Sequence, residues 1–109
     1  MTTTSGGIRH NKGKPRYDLI SPIGLEALAK VYTTGAEEYG DRNWEKGLSL
    51  MGCFASLMRH AWKWAMGETY DKESGSHHMA HVMWNACAIV HLSYTKPEYD
   101  DRVSCGRQD

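Results

Sequence analysis

Asp71-Lys72-Glu73-Ser74-Gly75-Ser76-His77-His78-Met79-Ala80-His81-Val82-Met83-Trp84-Asn85 is the stretch around which this chain is organised. It opens as a turn rich in capping residues and runs into a long apolar helix. At about 100° per residue from His78, His81 lies at about −60° and Asn85 at about −20°, so the three share one stripe. Met79, Val82, Met83, Ala86, Ile89 and Val90 cover the adjoining arc. With Ala80, Ala88 and Leu92 added, nearly every side is apolar, which is the pattern of a buried helix. A polar stripe inside such a helix has to be hydrogen-bonded, bound to a metal or used. The plain structural reading is a set of satisfied core histidines and an asparagine bridging two helices. The acidic turn beside them points to a site.

Working outward, Ser49 as N-cap and Gly67 as stop bracket a second helix over about 49–66. Leu50, Phe54, Leu57, Met58, Ala61, Trp62 and Ala65 form its wide apolar face. Gly52, Ser56, Arg59 and Lys63 fall opposite, and His60 sits at the border, where it can reach a cleft and still titrate. Upstream, Ser21-Pro22 starts a helix over about 22–39 that Gly40 ends. Leu25, Leu28, Tyr32, Gly35, Ala36 and Tyr39 share its apolar face. Glu37 lies with Glu26, Lys30 and Thr33 and reads as solvated. Glu37 and Glu38 point about 100° apart and make no metal pair. The central helix is expected over about 74–94. His77, Trp84 and His91 recur along it on a separate stripe, read as a packing seam between subunits.

With no strand pattern beside these helices, the fold class is all-α. A chain of 109 residues is one domain by size. It divides into a flexible N-terminal arm over 1–13, a single helical domain over 14–95 and a flexible C-terminal tail over 96–109. Three helices leave one side of the core open, so completion as a homo-oligomer, a dimer or tetramer, is expected. The 13 basic and 13 acidic residues balance, which gives no electrostatic case for a nucleic-acid polymer or an anionic membrane. No run of about 18 apolar residues could span a membrane, and the start lacks the apolar core of a signal peptide. Cys53, Cys87 and Cys105 form no C-x-x-C pair, and the first two sit in apolar runs. They read as reduced core thiols of a cytoplasmic protein.

The candidate chemistry follows from residue types. His60, His78 and His81 could gather around one point as catalytic groups, beside Glu68, Asp71 and Glu73. The carboxylates could hold Mg²⁺ or Mn²⁺ while a histidine serves as general base. Lys14, Arg16 and Arg59 would neutralise phosphate. Tyr39, Asn43, Trp44 and Asn85 complete a nucleotide-binding set. Trp44, in a loop, either plugs the core or stacks on a planar ligand. No nucleophile elbow, Walker loop or dinucleotide glycine pattern is present.

Several segments in order resemble a phage-encoded family named for dATP/dGTP diphosphohydrolases, in its N-terminal-domain form. They are Gly13-Lys14-Pro15-Arg16-Tyr17-Asp18-Leu19-Ile20, Tyr32-Thr33-x-Gly35-Ala36-x-x-Tyr39-Gly40-Asp41-Arg42-Asn43-Trp44-x-x-Gly47 and Leu57-Met58-Arg59-His60. Gly67-Glu68-x-x-Asp71-x-Glu73-Ser74-Gly75 and His78-x-Ala80-His81 through Asn85 continue it. The wider kinship resembles the MazG-type all-α nucleotide pyrophosphohydrolases. That resemblance implies cleavage of a nucleoside triphosphate to monophosphate and pyrophosphate, with Mg²⁺ held by Glu-x-x-Glu on one helix and Glu-x-x-Asp on the next. In this chain His78-x-x-His81-Val82 stands where Glu-x-x-Asp would be expected, and Arg59-His60 where the first glutamates would be.

The leading expectation is a phage protein that binds a purine nucleotide and acts as a metal-dependent (d)NTP pyrophosphohydrolase in the cytoplasm of the host cell. The histidine-for-carboxylate replacement motivates an alternative, a nucleotide-sequestering protein that blunts host immune nucleotide signalling. A further alternative is a structural interaction domain whose polar residues are interhelical bridges.

Overall fold

A computed structural model describes residues 6–103. Its main elements are α1 (Pro22–Tyr39), α2 (Leu50–Ala65) and α3 (His78–Thr95). Single 3-10 turns at Tyr17–Leu19, Asn43–Lys46 and Pro97–Tyr99 link or flank them. Among the described residues there is no strand, only an antiparallel backbone bridge between Tyr70 and His77.

Local chemistry sets the helix starts. The Ser21 hydroxyl accepts from the Gly24 N–H at 3.0 Å, with Pro22 in the first turn, and the Ser49 hydroxyl accepts from the Gly52 N–H at 2.9 Å. Gly40 closes α1 at φ +97, a conformation that costs a residue with a Cβ. The third helix begins at His78 and not near Ser74. Asp71 Oδ2 captures the Ser74 N–H at 3.0 Å, the Asp71 carbonyl accepts from the Gly75 N–H, and Gly75 takes φ +79. The helix therefore cannot nucleate until the His77 ring caps it, accepting from the Met79 N–H at 3.0 Å.

Both α1 and α2 pack on α3 and barely touch each other. The pairs His60–His78 and Ser56–Asn85 show that α2 and α3 run antiparallel. Ala80 and Ala88 are buried in α3, where small side chains let the helices approach, and Leu92 is fully enclosed. The buried side of α2 is rotated from the apolar face read in the sequence. Cys53 is buried and Ser56, Leu57 and His60 are half-buried, whereas Phe54, Met58 and Trp62 are exposed. The polar stripe of α3 faces α2 and needs polar partners, and α2 turns Ser56 and His60 towards it.

Two further readings change. Trp84 and His91 are engaged within the chain, Trp84 against Tyr32 and Trp44, His91 against Trp44, while His77 caps α3. The seven-residue stripe thus carries packing and capping contacts within the chain. Nor is α3 buried all round, since Met83, Ala86 and Val90 are exposed, and Cys87 with them, so of the two described cysteines only Cys53 is a core thiol. The stretch from Lys96 is tied at its start. Asp101 accepts from the Ser49 hydroxyl and from the Met51 N–H at 2.9 Å, pinning the end of the described chain to the start of α2. Residues 1–5 of the expected arm, and 104–109 of the expected tail with Cys105, lie outside the described residues.

Candidate functional site

Because α1 and α2 lean on α3 without meeting, a cleft of about 1150 Å³ opens between them. That exceeds the roughly 300–1,000 Å³ common for small-molecule sites. Tyr39, Asn43, Trp44, Arg59, His60, Asp71, Glu73, His81 and Asn85 all line it. His78 and Glu68 stand behind its wall. Lys14 and Arg16 line a separate depression in the entry segment, where both nitrogens of the Arg16 fork engage Asp18 at 2.7 and 2.8 Å.

Two hydrogen-bond chains meet at the wall. In the first, Glu68 Oε1 pairs with His78 Nε2 at 2.9 Å, and His78 Nδ1 lies 2.8 Å from His60 Nδ1. The hydrogen bond from His78 holds the Glu68 carboxyl below its ordinary range. An ionised carboxylate only accepts, so His78 donates from Nε2, and the neutral ring then presents a lone pair at Nδ1. His60 then donates from Nδ1. In the second chain the Ser74 hydroxyl donates to Asp71 Oδ2 at 2.7 Å and lies 2.7 Å from His81 Nε2. Its one proton is committed to Asp71, so His81 donates from Nε2 and keeps a lone pair at Nδ1.

The chains touch where the His60 and His81 rings stack, 4.2 Å between centroids and 9° between planes. Burial, and then the neighbouring His81, push the His60 imidazole down to about 4, so it is neutral at pH 7. Burial lowers His81 as well, against the opposing pull of Asp71. Burial alone would raise the Asp71 carboxyl, but the Ser74 hydroxyl and N–H, with His81 and His60, hold it below its usual value.

The remaining candidates divide between binding and support. Arg59 reaches the cleft and makes no salt bridge among the described residues. Lys63, one turn on, lines the cleft too. The sequence already puts the two on one face of α2, and their i+4 spacing keeps them together in the cleft. Trp44 acts as a plug, with Tyr32, Trp84 and His91 all in ring contact at 4.8 to 6.0 Å. Asn85 is buried and bridges helices, its amide donating to the His81 carbonyl at 2.9 Å and to the Ser56 hydroxyl at 3.3 Å. Tyr39 and Asn43 sit at the rim beside Glu38. Ser74 was missed in the sequence, because a serine in a turn carries no signal of its reach to a histidine seven residues away.

These features define an all-helical domain with an open polar cleft and a histidine–carboxylate wall. Residues 4–102 match the family described as dATP/dGTP diphosphohydrolase, N-terminal, and the chain belongs to that family. A dATP/dGTP diphosphohydrolase of Salmonella phage PMBT28 is 33% identical over 96 residues, which cover 88% of this chain and 33% of that protein. The chain thus spans about a third of the length of that relative. No solved structure matches it.

Proposed function

We propose that the cleft binds a purine nucleoside or deoxynucleoside triphosphate, and that the chain belongs to a phage enzyme releasing monophosphate and pyrophosphate. The observation that carries this reading is the placement of two cations without a salt bridge among the described residues, Arg59 and Lys63, on the α2 side of the same cleft that holds His81 and Asp71. Cations there can neutralise a phosphate chain and lay the α-phosphorus beside a proton acceptor. The name of the phage relative supports a nucleotide substrate.

In the reaction a water oxygen bonds to the α-phosphorus and the bond to the bridging oxygen breaks, with pyrophosphate leaving on that electron pair. His81 takes the water's proton at Nδ1. Its Nε2–H is held by Ser74 and, through Ser74, by the Asp71 carboxylate, which stabilises the ring as it becomes charged. Asn43 and Tyr39 at the rim are the groups for base or ribose.

The family resemblance implies Mg²⁺ in a cage of oxygens, and the residues present do not fit that cage. Glu68 is engaged by His78, Asp71 Oδ2 by Ser74, Glu73 is exposed, and imidazole nitrogens occupy the wall. Of the two ions expected, Mn²⁺ suits a mixed nitrogen and oxygen set better.

We place the protein in the host cytoplasm, where nucleoside triphosphates are found, as a homo-oligomer. No helix among the described residues is long and apolar enough to cross a membrane.

The test is turnover of a dNTP and NTP panel, read as monophosphate and pyrophosphate by mass spectrometry. His81→Ala should lower turnover by about 10²–10⁴-fold. Unchanged turnover in that variant overturns the assignment of His81. A second reading is a sequestering protein that blunts host nucleotide signalling, favoured by the engagement of Glu68 and Asp71 inside the wall. Intact nucleotide retained through ultrafiltration, with no product, would establish it.

A further inference from the structure

We propose that His60, His78 and Asp71 form a binding site for one first-row transition-metal dication, preferring Zn²⁺ or Co²⁺ over Mn²⁺ and all of these over Mg²⁺. This deepens the reading above by naming the cofactor of the same cleft, and rests on it for its purpose, though the ion can bind without turnover.

Geometry is the first argument. One ligand atom from each of these three residues lies within 4.8 Å of the other two. The His60 and His78 Nδ1 atoms are 2.8 Å apart. Bonds of about 2.0–2.1 Å to one ion put two nitrogens roughly 3.0–3.4 Å apart, so the rings need part by only a few tenths of an ångström. His60 would first move its proton from Nδ1 to Nε2 by exchange with water. That exchange moves a proton between the two nitrogens of one ring and releases none.

Support behind the ligands is the second argument. Glu68 accepts from His78 Nε2 and so fixes the tautomer that offers Nδ1. A carboxylate behind a histidine in this way is the usual outer partner of a metal-bound imidazole. His78 is completely buried, so its orientation is set before any ligand arrives. Asp71 is held through Oδ2 by Ser74, which leaves Oδ1 for an ion.

Charge is the third. The only ion pairs of Glu68 and Asp71 among the described residues are to histidines, and neither forms a salt bridge to Lys or Arg there. A dication among two imidazoles and a carboxylate compensates both. His60 and Asp71 line the cleft while His78 stands behind it, so the open side of the ion would face the cleft.

The experiment uses the metal alone. The full chain, stripped with a chelator, is titrated with Co²⁺, Zn²⁺, Mn²⁺ and Mg²⁺ in separate runs without nucleotide. Binding is followed by calorimetry, with the visible absorption of Co²⁺ as a second readout. One ion per chain and the affinity order stated above are expected. His60→Gln and Asp71→Asn should abolish the Co²⁺ absorption, and Glu68→Gln should weaken binding by about 10–100-fold. Circular dichroism confirms that each variant is folded, and Glu68→Gln, which keeps a hydrogen-bond acceptor, serves if the others are not. Mg²⁺ binding as tightly as Co²⁺, or wild-type Co²⁺ affinity in folded His60→Gln or Glu68→Gln, overturns the site. A bound ion without nucleotide turnover upholds it and counts only against hydrolysis.

Discussion

His60 shows how neighbours set the behaviour of one residue. Burial, and then the His81 ring stacked on it and His78 at its Nδ1, hold protonation off down to about pH 4. The unfolded chain takes up that proton near 6.5, the ordinary value. The sign follows from linkage. Above about 6.5 neither state is protonated at this ring and stability is unaffected. Between about 6.5 and 4 only the unfolded chain binds the proton, so stability falls as pH falls. Thermal melts of the metal-free chain should show this decline over that window. In His60→Gln the decline should be shallower, and an identical slope would mean that other groups cause it.

At the scale of elements, the segment joining α1 to α2 is held by the far end of the chain. Gly47 adopts φ +126, and a Cβ there would run into the Tyr99 ring. Asp101 binds the first turn of α2 a few residues away. Gly47→Ala should therefore cost about 1–3 kcal/mol from backbone strain, and more if the ring cannot move. Chemical denaturation measures it, and a change within a few tenths of a kcal/mol would show that the backbone relaxes and Tyr99 shifts away. The α2–α3 connection follows the same logic. Its residues read as helical from Ser74 by capping pattern, yet the side chain of Asp71 outcompetes the helix for the Ser74 N–H.

For the whole molecule, the open question is what covers α2. Phe54, Met58 and Trp62 are exposed along one side, Trp62 at 62%, and Val90 of α3 is exposed at 60%. Monomeric proteins rarely leave so many large apolar groups in water along one helix. A dimer or tetramer is therefore the expected state, measured by light scattering after size exclusion. Trp62→Glu should shift the mass towards the monomer. A wild-type chain that runs as a monomer at all concentrations would remove this expectation.

The sequence by itself determined the all-α class, the number of long helices and the gathering of His78, His81 and Asn85 on one stripe. Those follow from caps, stop glycines and helical periodicity, which act within a few residues. It also made Asp71 and His60 legible as candidates through residue type. Only the tertiary structure decided which way α2 faces, that Lys63 joins Arg59 in the cleft, and that Lys14 and Arg16 lie outside it. The same holds for the two hydrogen-bond chains. Glu68, His78 and His60 come from three separate segments, and their proton positions follow from contacts that no local pattern encodes. Side-chain partners across a helix pair are chosen by packing and by the cost of leaving a buried polar group unpaired, and both are settled only when the helices meet.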